Sequence, residues 1–496
     1  MDIVVAGGGT AGWISAYIIE KSQPGVHKIK VIESSAIGII GAGEGSTGLL
    51  YDLVSGIFFG EPNYEDIKEF MQFTDSTPKF GINHVGWSDQ KDSGYFAPLD
   101  GSPTTSYSPD AIFNYVLSKY GTDKAYLASF FGQGYAFNKM PNSGHAFHFD
   151  AHKVGKYFRQ KLEKLTDVQV IDAKINDVKL NQIGEIASLQ LDNGNSVNGD
   201  FFVDCTGFSR VLISKLGVGW TSYQDNLLAN KAMPFLLSYT EETKKQAKPY
   251  TTAQAMSAGW MWDIPLKTRK GCGYVYNSSF LSEEDAQREV ELFLGHEIDP
   301  IKHLSFDAGR SEKMWQKNCL VSGLSAAFME PLEATSIHTT ILQMNNFVME
   351  HLKKSKEETV NTFNIKSFNE KFEILYESYK DFLVLHYQGG KQDSEFWKYL
   401  NTGATLTPFV EEVISRSAYG LPSFLQYEHK WGTSTTLWNW ILAGLNFVSS
   451  KNASLTLKQY KKEKEAEQDY LELFRSSSQR NAGQEKFSLE KMIEVV

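Results

Sequence analysis

The sequence predicts an α/β protein that begins with a Rossmann-type parallel sheet, and two features near its start support that fold class. A short apolar run at residues 3–6 leads straight into glycines spaced G-x-G-x-x-G, and a helix is predicted to begin at about Thr10. A second strand, predicted at 28–33, ends in Glu33, and a second glycine-rich loop, IGAGEGS, follows at 40–46. This strand–helix–strand order is typical of a nucleotide-binding sheet.

Glycine suits the first turn because the turn must be tight, must let backbone approach a pyrophosphate, and must pack a helix closely on a strand. The free N–H groups and the positive dipole end of the helix favour phosphate, and Glu33 is placed to bind a ribose hydroxyl. A glycine-rich turn without any ligand is the alternative. The residues predicted to contact the dinucleotide are Gly7, Gly9, Thr10, Ala11, Gly12, Trp13, Glu33, Ala42, Gly43 and Glu44.

Composition narrows the class of protein further. The 496 residues are enough for a large core and more than one domain. The net charge of −10 disfavours nucleic acid or an anionic membrane as a partner. We expect no signal peptide and no transmembrane helix. Three widely spaced cysteines predict no disulfide framework and favour a reducing, cytoplasmic location; a homo-oligomer is compatible with the sequence.

The pattern along the rest of the chain predicts a mixed sheet region followed by helices. The predicted elements are a helix over 151–165 capped by Asp150, strands over 168–175, 178–180, 186–191 and 200–205, a DNGN hairpin turn at 192–195, a second sheet around 220–280, and an acidic helix over 283–293. From about Ile337 onward the sequence is mostly helical. No linker separates independent modules, so we expect one intertwined α/β body with a helical C-terminal region.

Two motifs in the body of the chain are candidates for chemistry. Lys79 stands between apolar neighbours in TPKFGI, and desolvation would lower its pKa and free an amine for hydrogen bonding or nucleophilic work. A solvated surface lysine is the alternative. Trp260 and Trp262 are two residues apart, so in an extended segment both indoles face one side. They would wall an aromatic pocket or pack in the core.

A third candidate is the segment EPLEATS at 330–336, which precedes an apolar-periodic helix. Its turn leaves backbone N–H groups at a helix N-terminus, a natural site for a small anion, and Glu333 could act there as a base or charge stabiliser. A capping turn is the alternative. No metal site is predicted, because the rings of His145, His148 and His152 span a strand–helix junction and need not converge.

Together these motifs resemble those of the flavin-dependent halogenases related to the tryptophan halogenases. The matching segments are Gly7, Gly9 and Gly12 with Trp13, IGAGEGS at 40–46, Lys79 in TPKFGI, DCTGF at 204–208, WMWDIP at 260–265 and EPLEATSIH at 330–338. They follow the family's order over roughly the first 345 residues. The resemblance implies an FAD-binding, flavoprotein monooxygenase-like fold, with an FAD-binding body at 1–345 and a helical, substrate-covering region at 346–496.

The resemblance also implies a reaction. It is the FADH2- and O2-dependent halogenation of an electron-rich aromatic compound, of indole or phenol type, through enzyme-generated hypohalous acid. Lys79 matches the lysine that positions the oxidant by hydrogen bond or as a haloamine. Glu333 matches the glutamate that assists electrophilic substitution.

The resemblance also implies a halide site, a barrier between substrate and flavin, and a source of reduced flavin. The backbone at Thr335 and Ser336 matches the halide site, and Trp260 and Trp262 match the barrier that keeps substrate from the flavin. A separate NAD(P)H-dependent flavin reductase is implied as the source of FADH2. Tryptophan-specific members often have glycine where this chain has Ser336, so the preferred halide and the substrate stay open.

Two alternatives to a halogenase remain open from the sequence. One is a two-component FAD-dependent aromatic monooxygenase on the same scaffold, and the other is a flavin-binding protein without chemistry. The substrate pocket has no motif of its own. Tyr95, Phe96, Trp438 and Trp440 are candidates to line it, with core packing as the alternative for each.

Overall fold

The computed structural model describes most of the chain. The described residues are 1–38, 43–89, 94–99, 115, 117–119, 146–352, 365–419, 435–448, 450–461, 464 and 467–468. They form two compact units, each assembled from separate stretches of chain. The first unit comprises Met1–Ser76, Phe149–Tyr223 and Asp307–Tyr376, and the second comprises Thr77–His148, Gln224–Phe306 and Glu377–Val496.

The strands and helices are numbered in chain order. The strands are β1 Asp2–Ala6, β2 Lys28–Glu33, β3 Glu44–Gly45, β4 Thr77–Lys79, β5 Gly81–Val85, β6 Gly94–Pro98, β7 Ala146–Phe149, β8 Gln169–Asp172, β9 Ile175–Leu180, β10 Ile186–Leu191, β11 Ser196–Asn198, β12 Phe201–Asp204, β13 Trp220–Ser222, β14 Lys231–Ser238, β15 Thr251–Met256, β16 Gly259–Pro265, β17 Arg269–Tyr276, β18 Leu304–Ser305, β19 Gly309–Ser311, β20 Trp315–Gln316, β21 Cys319–Val321 and β22 Ala327–Phe328. The helices are α1 Thr10–Ser22, α2 Gly48–Val54, α3 Glu65–Phe73, α4 Ala151–Leu165, α5 Val211–Lys215, α6 Glu241–Gln246, α7 Glu283–Leu294, α8 Thr335–Asn346, α9 Ile365–His386, α10 Glu395–Thr402, α11 Pro408–Ser417, α12 Thr435–Gly444 and α13 Ser450–Tyr460.

The first unit is organised around a six-stranded sheet in the order β20-β21-β12-β1-β2-β8. The pairs from β21 to β8 are parallel, and the edge pair β20–β21 is antiparallel. β1 is central, with Ile3 opposite Phe201 on one side and Ile29 on the other. Its apolar residues are fully buried, as a central parallel strand requires. The α/β class with a Rossmann-like parallel sheet is therefore confirmed.

Local signals in the first unit are mostly confirmed. Helix α1 begins at Thr10, the Asp150 carboxylate caps α4 by accepting a hydrogen bond from the His152 N–H, and β10 and β11 pair across the predicted DNGN turn. The single strand predicted over 168–175 is wrong. The chain forms two strands there, because β8 ends the main sheet beside β2, whereas β9 starts a small antiparallel sheet with β10.

The second unit contains a seven-stranded sheet in the order β18-β14-β17-β16-β15-β5-β6. Neighbouring strands are antiparallel, except that β15 and β5 are parallel. The predicted second sheet around 220–280 corresponds to β14–β17, whereas β13 belongs to a small sheet of the first unit. β16, which carries the WMWDIP segment, pairs with β15 and β17, so its tryptophans are placed well inside the sheet.

The described residues after Ile337 are mostly helical, as predicted. In the described part of the chain, no helix has the length and apolar character needed to cross a membrane. Cys205, Cys272 and Cys319 are free thiols, as their spacing predicted. The division into an FAD-binding body at 1–345 and a substrate-covering region at 346–496 stays a prediction.

Candidate active site

The first glycine turn has the close backbone contacts that its sequence pattern predicts. Gly7 has φ of +114°, and a Cβ there would lie 2.2 Å from the Cys205 carbonyl oxygen. A Cβ on Gly12 would lie 1.8 Å from the Gly7 carbonyl oxygen. A Cβ on Gly9, the residue before α1, would meet nothing within 4 Å. Glycine is therefore required at positions 7 and 12, where two chain segments are in close contact. At Gly9, the start of the helix, there is open space that a phosphate could occupy.

The acid at the end of β2 is held beside this turn. Glu33 accepts a hydrogen bond of 2.5 Å from the Arg159 guanidinium and one of 3.3 Å from the Trp13 indole N–H. The Arg159 guanidinium lies over the Trp13 ring, 5.3 Å from its centroid. These contacts fix the carboxylate, and its remaining lone pairs can still accept from a ribose hydroxyl. No local pattern predicts the contact with Arg159, which comes from α4 more than a hundred residues later.

The second glycine-rich loop contributes Glu44 on β3. Burial raises the pKa of Glu44 to about 7, and repulsion from the Asp150 carboxylate adds to the shift. Gly43 is buried next to it. Ala42, the other predicted residue of this loop, lies outside the described residues.

The DCTGF segment closes the turn from the other side. The Cys205 N–H donates to the Ala6 carbonyl at 2.8 Å, which extends the β1–β12 pairing up to Gly7. The buried Asp204 carboxylate accepts from the Thr206 hydroxyl and from the Ser325 hydroxyl, and also from the second and third N–H groups of α5. Asp204 therefore organises the loop, and its oxygens are occupied within the protein.

The segment around Glu333 forms a sharp turn before α8. Pro331–Glu333 is one turn of 3₁₀ helix, and Ala334 follows with φ of +54°. The residue before α8, Ala334, makes no side-chain hydrogen bond to the start of the helix. Glu333 and Thr335 are buried, whereas Ser336 is exposed.

This segment is tied to the glycine turn within the first unit. A Cβ on Gly323, in the turn before β22, would lie 2.4 Å from the Cβ of Ala11. The Ser325 hydroxyl oxygen lies 3.1 Å from the Gly207 carbonyl oxygen, and its one proton is shared between this carbonyl and the Asp204 carboxylate. The start of α1, the DCTGF loop and the chain leading to Glu333 are thus in direct contact, as a shared cofactor site requires.

In the second unit, Lys79 is the third residue of β4 and is only 1 % exposed. The alternative of a solvated surface lysine is wrong. β4 pairs with β7, so that Thr77 faces His148 and Lys79 faces Ala146. Burial, together with the positive charge of Lys79, holds the pKa of His148 well below the usual value for an imidazole.

The tryptophan pair lies on β16 in the same unit. Trp260 and Trp262 are 1 % and 8 % exposed, and their ring centroids are 6.2 Å apart. They lie on one face of the strand, as their spacing predicts. The Trp262 ring covers Gly273 of the neighbouring strand, where a Cβ would lie 2.1 Å from it. The absence of a side chain at Gly273 creates the room that the indole occupies.

A group of stacked rings in the second unit was missed from the sequence. The imidazole of His84 stacks on Tyr95 at 4.3 Å and on His386 at 4.7 Å between centroids. The Tyr95 hydroxyl lies 2.5 Å from Nδ1 of His386. Burial lowers the pKa of His386 to about 3, so this imidazole is neutral. No local pattern predicts a contact across nearly three hundred residues.

The other candidate pocket aromatics are buried as well. Phe96 and Trp438 are fully buried, and Trp440 is 6 % exposed. Of the three histidines considered for a metal, His148 is in contact with two threonine hydroxyls and His152 is exposed. His145 lies outside the described residues.

Comparisons with known proteins identify the family to which the chain belongs. The family model described as tryptophan halogenase matches residues 2–460. The tryptophan 7-halogenase of Lentzea aerocolonigenes is 30% identical over 422 residues, covering 80% of this chain and 78% of that protein. The 7-chloro-L-tryptophan 6-halogenase of Kutzneria sp. (strain 744) is 31% identical over 437 residues, covering 80% and 81%.

Solved structures give the same result. The crystal structure of a tryptophan 6-halogenase from Streptomyces toxytricini superposes with a TM-score of 0.83 at 25% identity, covering 100% of both chains. A flavin-dependent halogenase from Brevundimonas sp. BAL3 superposes with a TM-score of 0.79 at 25% identity. The chain therefore belongs to the tryptophan halogenase family and is a flavin-dependent halogenase, an oxidoreductase.

Proposed function

We propose that this enzyme uses FADH2, O2 and a halide ion to halogenate an electron-rich aromatic compound of indole or phenol type. The observation that supports this most strongly is the burial of Lys79 on a strand hydrogen-bonded to the end of the Trp260–Trp262 strand. Burial of an amine costs free energy, and buried titratable groups are concentrated at functional sites. The net reaction balances as ArH + X⁻ + H⁺ + O2 + FADH2 → ArX + FAD + 2 H2O.

The first unit provides the residues that would hold FAD. Gly9 leaves room for the pyrophosphate, whereas Gly7 and Gly12 allow the close chain contacts that form the turn. The N–H groups of Thr10 and Ala11, at the start of α1, would bind the phosphates. The other residues proposed to hold FAD are Trp13, Glu33, Ala42, Gly43 and Glu44. The geometry of the described members fits such a ligand, because the open position at Gly9 adjoins a free helix start. When bound, reduced FAD supplies, with O2 and halide, the hypohalous acid that the substrate consumes.

Lys79 and Glu333 have separate roles in this proposal. The Lys79 amine captures hypohalous acid, either by a hydrogen bond or as a haloamine formed with release of water, and presents the halogen to the substrate. Glu333 stabilises the cationic ring intermediate and accepts the proton that leaves the substituted carbon. Burial of both side chains strengthens these interactions, because water does not screen them.

Two further groups of residues have proposed roles, one in binding the halide and one in separating the substrate from the flavin. The start of α8 at Thr335 and Ser336 is the site proposed for the halide, because backbone N–H groups and the helix dipole there favour an anion. Trp260 and Trp262 form a wall that keeps the substrate away from the flavin, which would prevent ordinary hydroxylation.

The relatives suggest the first substrates to test. Their names describe halogenation of tryptophan at position 7 and of 7-chloro-L-tryptophan at position 6. We infer that free tryptophan and other indoles are the first candidates, with phenols next. FADH2 would come from a separate NAD(P)H-dependent flavin reductase.

The decisive experiment supplies the enzyme with FADH2, oxygen, chloride or bromide, and a panel of indoles and phenols. Mass spectrometry should show the isotope pattern of a halogenated product, and omission of halide should remove it. Hydroxylated product without any halogenated product would instead indicate an aromatic monooxygenase. Flavin binding with neither product across the panel would contradict the proposed reaction.

A further inference from the structure

Lys79 lies on a very short strand, β4, which pairs with β7. β4 has three residues, and its central one, Pro78, has no N–H to donate. Because side chains alternate along a strand, Thr77 and Lys79 point to the same face. The contacts of the Thr77 side chain therefore bear directly on where the Lys79 ammonium group lies.

The Thr77 hydroxyl ties this strand to the one that carries the tryptophan pair. It donates a hydrogen bond of 2.6 Å to the carbonyl oxygen of Pro265, the last residue of β16. Thr77 is fully buried, and Pro265 is buried as well. Loss of this bond would leave a buried carbonyl without that donor, which is costly in an environment without water.

His148 extends the contact to a third strand. The Thr77 hydroxyl has one proton, and the Pro265 carbonyl accepts it, so the 3.4 Å contact to Nδ1 of His148 must have the imidazole as donor. Nε2 then accepts from the Thr251 hydroxyl at 2.9 Å. This places the proton of His148 on Nδ1. Thr251 begins β15, which neighbours β16.

We propose that Thr77 and His148 are positioning residues that hold Lys79 at a fixed distance from the Trp260–Trp262 strand. The Thr77 clamp, defined as the hydrogen-bonded chain Pro265–Thr77–His148–Thr251, lies wholly within the second unit. The inference rests on the proposed function of Lys79. With the clamp intact, hypohalous acid is passed to the substrate, and with the clamp broken, more of it leaves the enzyme unused.

The test measures coupling, the halogenated product formed per FADH2 oxidised. Thr77→Val removes the hydroxyl while keeping the branched shape, and should lower coupling about tenfold, because an ångström of misplacement is enough to cost that much. Free hypohalous acid, trapped by a reactive 1,3-diketone, should rise correspondingly. Thr77→Ser keeps the hydroxyl, so its coupling should stay within about twofold of that of the unsubstituted enzyme.

A second variant keeps the proposal testable if Thr77→Val does not fold. Thr251→Val breaks the far end of the clamp and should lower coupling about threefold. Thr252→Val is its matched control, because Thr252 is the next residue on β15 and points to the other face of the sheet. FAD affinity and melting temperature are measured for every variant.

The outcomes separate the two proposals. A purely structural role would lower the melting temperature of Thr77→Val and Thr251→Val while their coupling stayed unchanged, and that result would overturn the clamp but leave the halogenase proposal standing. Absence of any halogen incorporation by the unsubstituted enzyme would overturn both. If Thr77→Val does not fold, Thr251→Val and Thr252→Val test the clamp in its place. Lower coupling in Thr251→Val than in Thr252→Val would support the clamp, and equal coupling would overturn it.

Discussion

In the first unit, the carbonyl of Gly7 lies against Gly12, five residues further along the chain. In the second unit, the strand of Lys79 pairs with residues 146–148 and is hydrogen-bonded through Thr77 to Pro265. The Gly7–Gly12 contact is local, and residue type specifies it, because only glycine leaves enough space. The arrangement in the second unit is assembled from distant strands, and its chemistry depends on their relative placement. The glycine turn should therefore respond to substitution through stability and cofactor binding, and the lysine strand through catalysis.

The largest expected effect is on catalysis, at Lys79. Lys79→Ala should reduce halogenation by about 10³-fold or more, because the amine that captures the oxidant is gone. FAD affinity, measured by flavin fluorescence, should stay unchanged. Lys79→Met, which keeps the length and removes the charge, should behave in the same way.

The control for this substitution is Lys398→Ala, which removes an exposed lysine from α10 in the same unit. It should leave the rate unaltered. Halogenation by Lys79→Ala at a rate near that of the control would refute the role assigned to Lys79. A loss of FAD binding by Lys79→Ala would contradict the assignment of cofactor binding to the glycine turn and of catalysis to the lysine strand.

The next effect tests whether a residue of the first unit also takes part in chemistry. Glu333→Gln should slow halogenation about 10²-fold, because the amide neither accepts the proton nor carries the negative charge. FAD affinity should be retained. Glu370→Gln, an exposed glutamate on α9, is the matched control; rates that agree between these two variants would rule out the assignment.

At the glycine turn the effect should be on folding and cofactor binding. Gly7→Ala places a Cβ against the Cys205 carbonyl at a φ that alanine rarely adopts, so it should cost about 1–3 kcal/mol of unfolding free energy and weaken FAD binding. Urea unfolding and flavin titration measure both. Gly48→Ala is the control, since a Cβ there meets nothing within 4 Å. Equal stability of the two variants would show that the close contact is unimportant.

The smallest effect is a pH dependence at Glu44. Its pKa of about 7 means that the folded chain keeps a proton that the unfolded chain has lost, over the range from about pH 4.5 to 7. This group therefore makes stability fall as the pH rises across that range. Without FAD, the melting temperature should fall from about pH 5 to pH 8 by more than it does in Glu44→Gln. Parallel curves for the two proteins would contradict the shift, and Glu65→Gln, an exposed carboxylate, controls for general charge effects.

The same contrast explains how much could be predicted from the sequence. The glycine turn, α1, the hairpin after β10 and the Asp150 cap rest on local rules of turns and caps, and the structure confirms them. The break between β8 and β9 could not be predicted, because only the partners β2 and β10 separate one extended run into two strands.

The candidate site residues also fall into two groups, those with a local signal in the sequence and those without one. Lys79, Glu333 and the tryptophan pair carry signals in residue type and neighbours, together with a family resemblance. Arg159 beside Glu33 and the contact of His386 with Tyr95 had no local signal, since each joins residues far apart in sequence. Burial of Lys79 likewise follows from the pairing of β4 with β7, which no short motif encodes.

The order of strands in the parallel sheet has a consequence for synthesis of the chain. β1 is made well before its sheet neighbour β12, which begins at Phe201, and before β21, which begins at Cys319. At translation rates of about 5–20 residues per second, roughly 15–60 s separate β1 from β21. Until then the nascent sheet has an open edge with unpaired backbone groups, a template for aggregation. Chaperones that shield such edges on the ribosome should therefore raise the yield of folded enzyme.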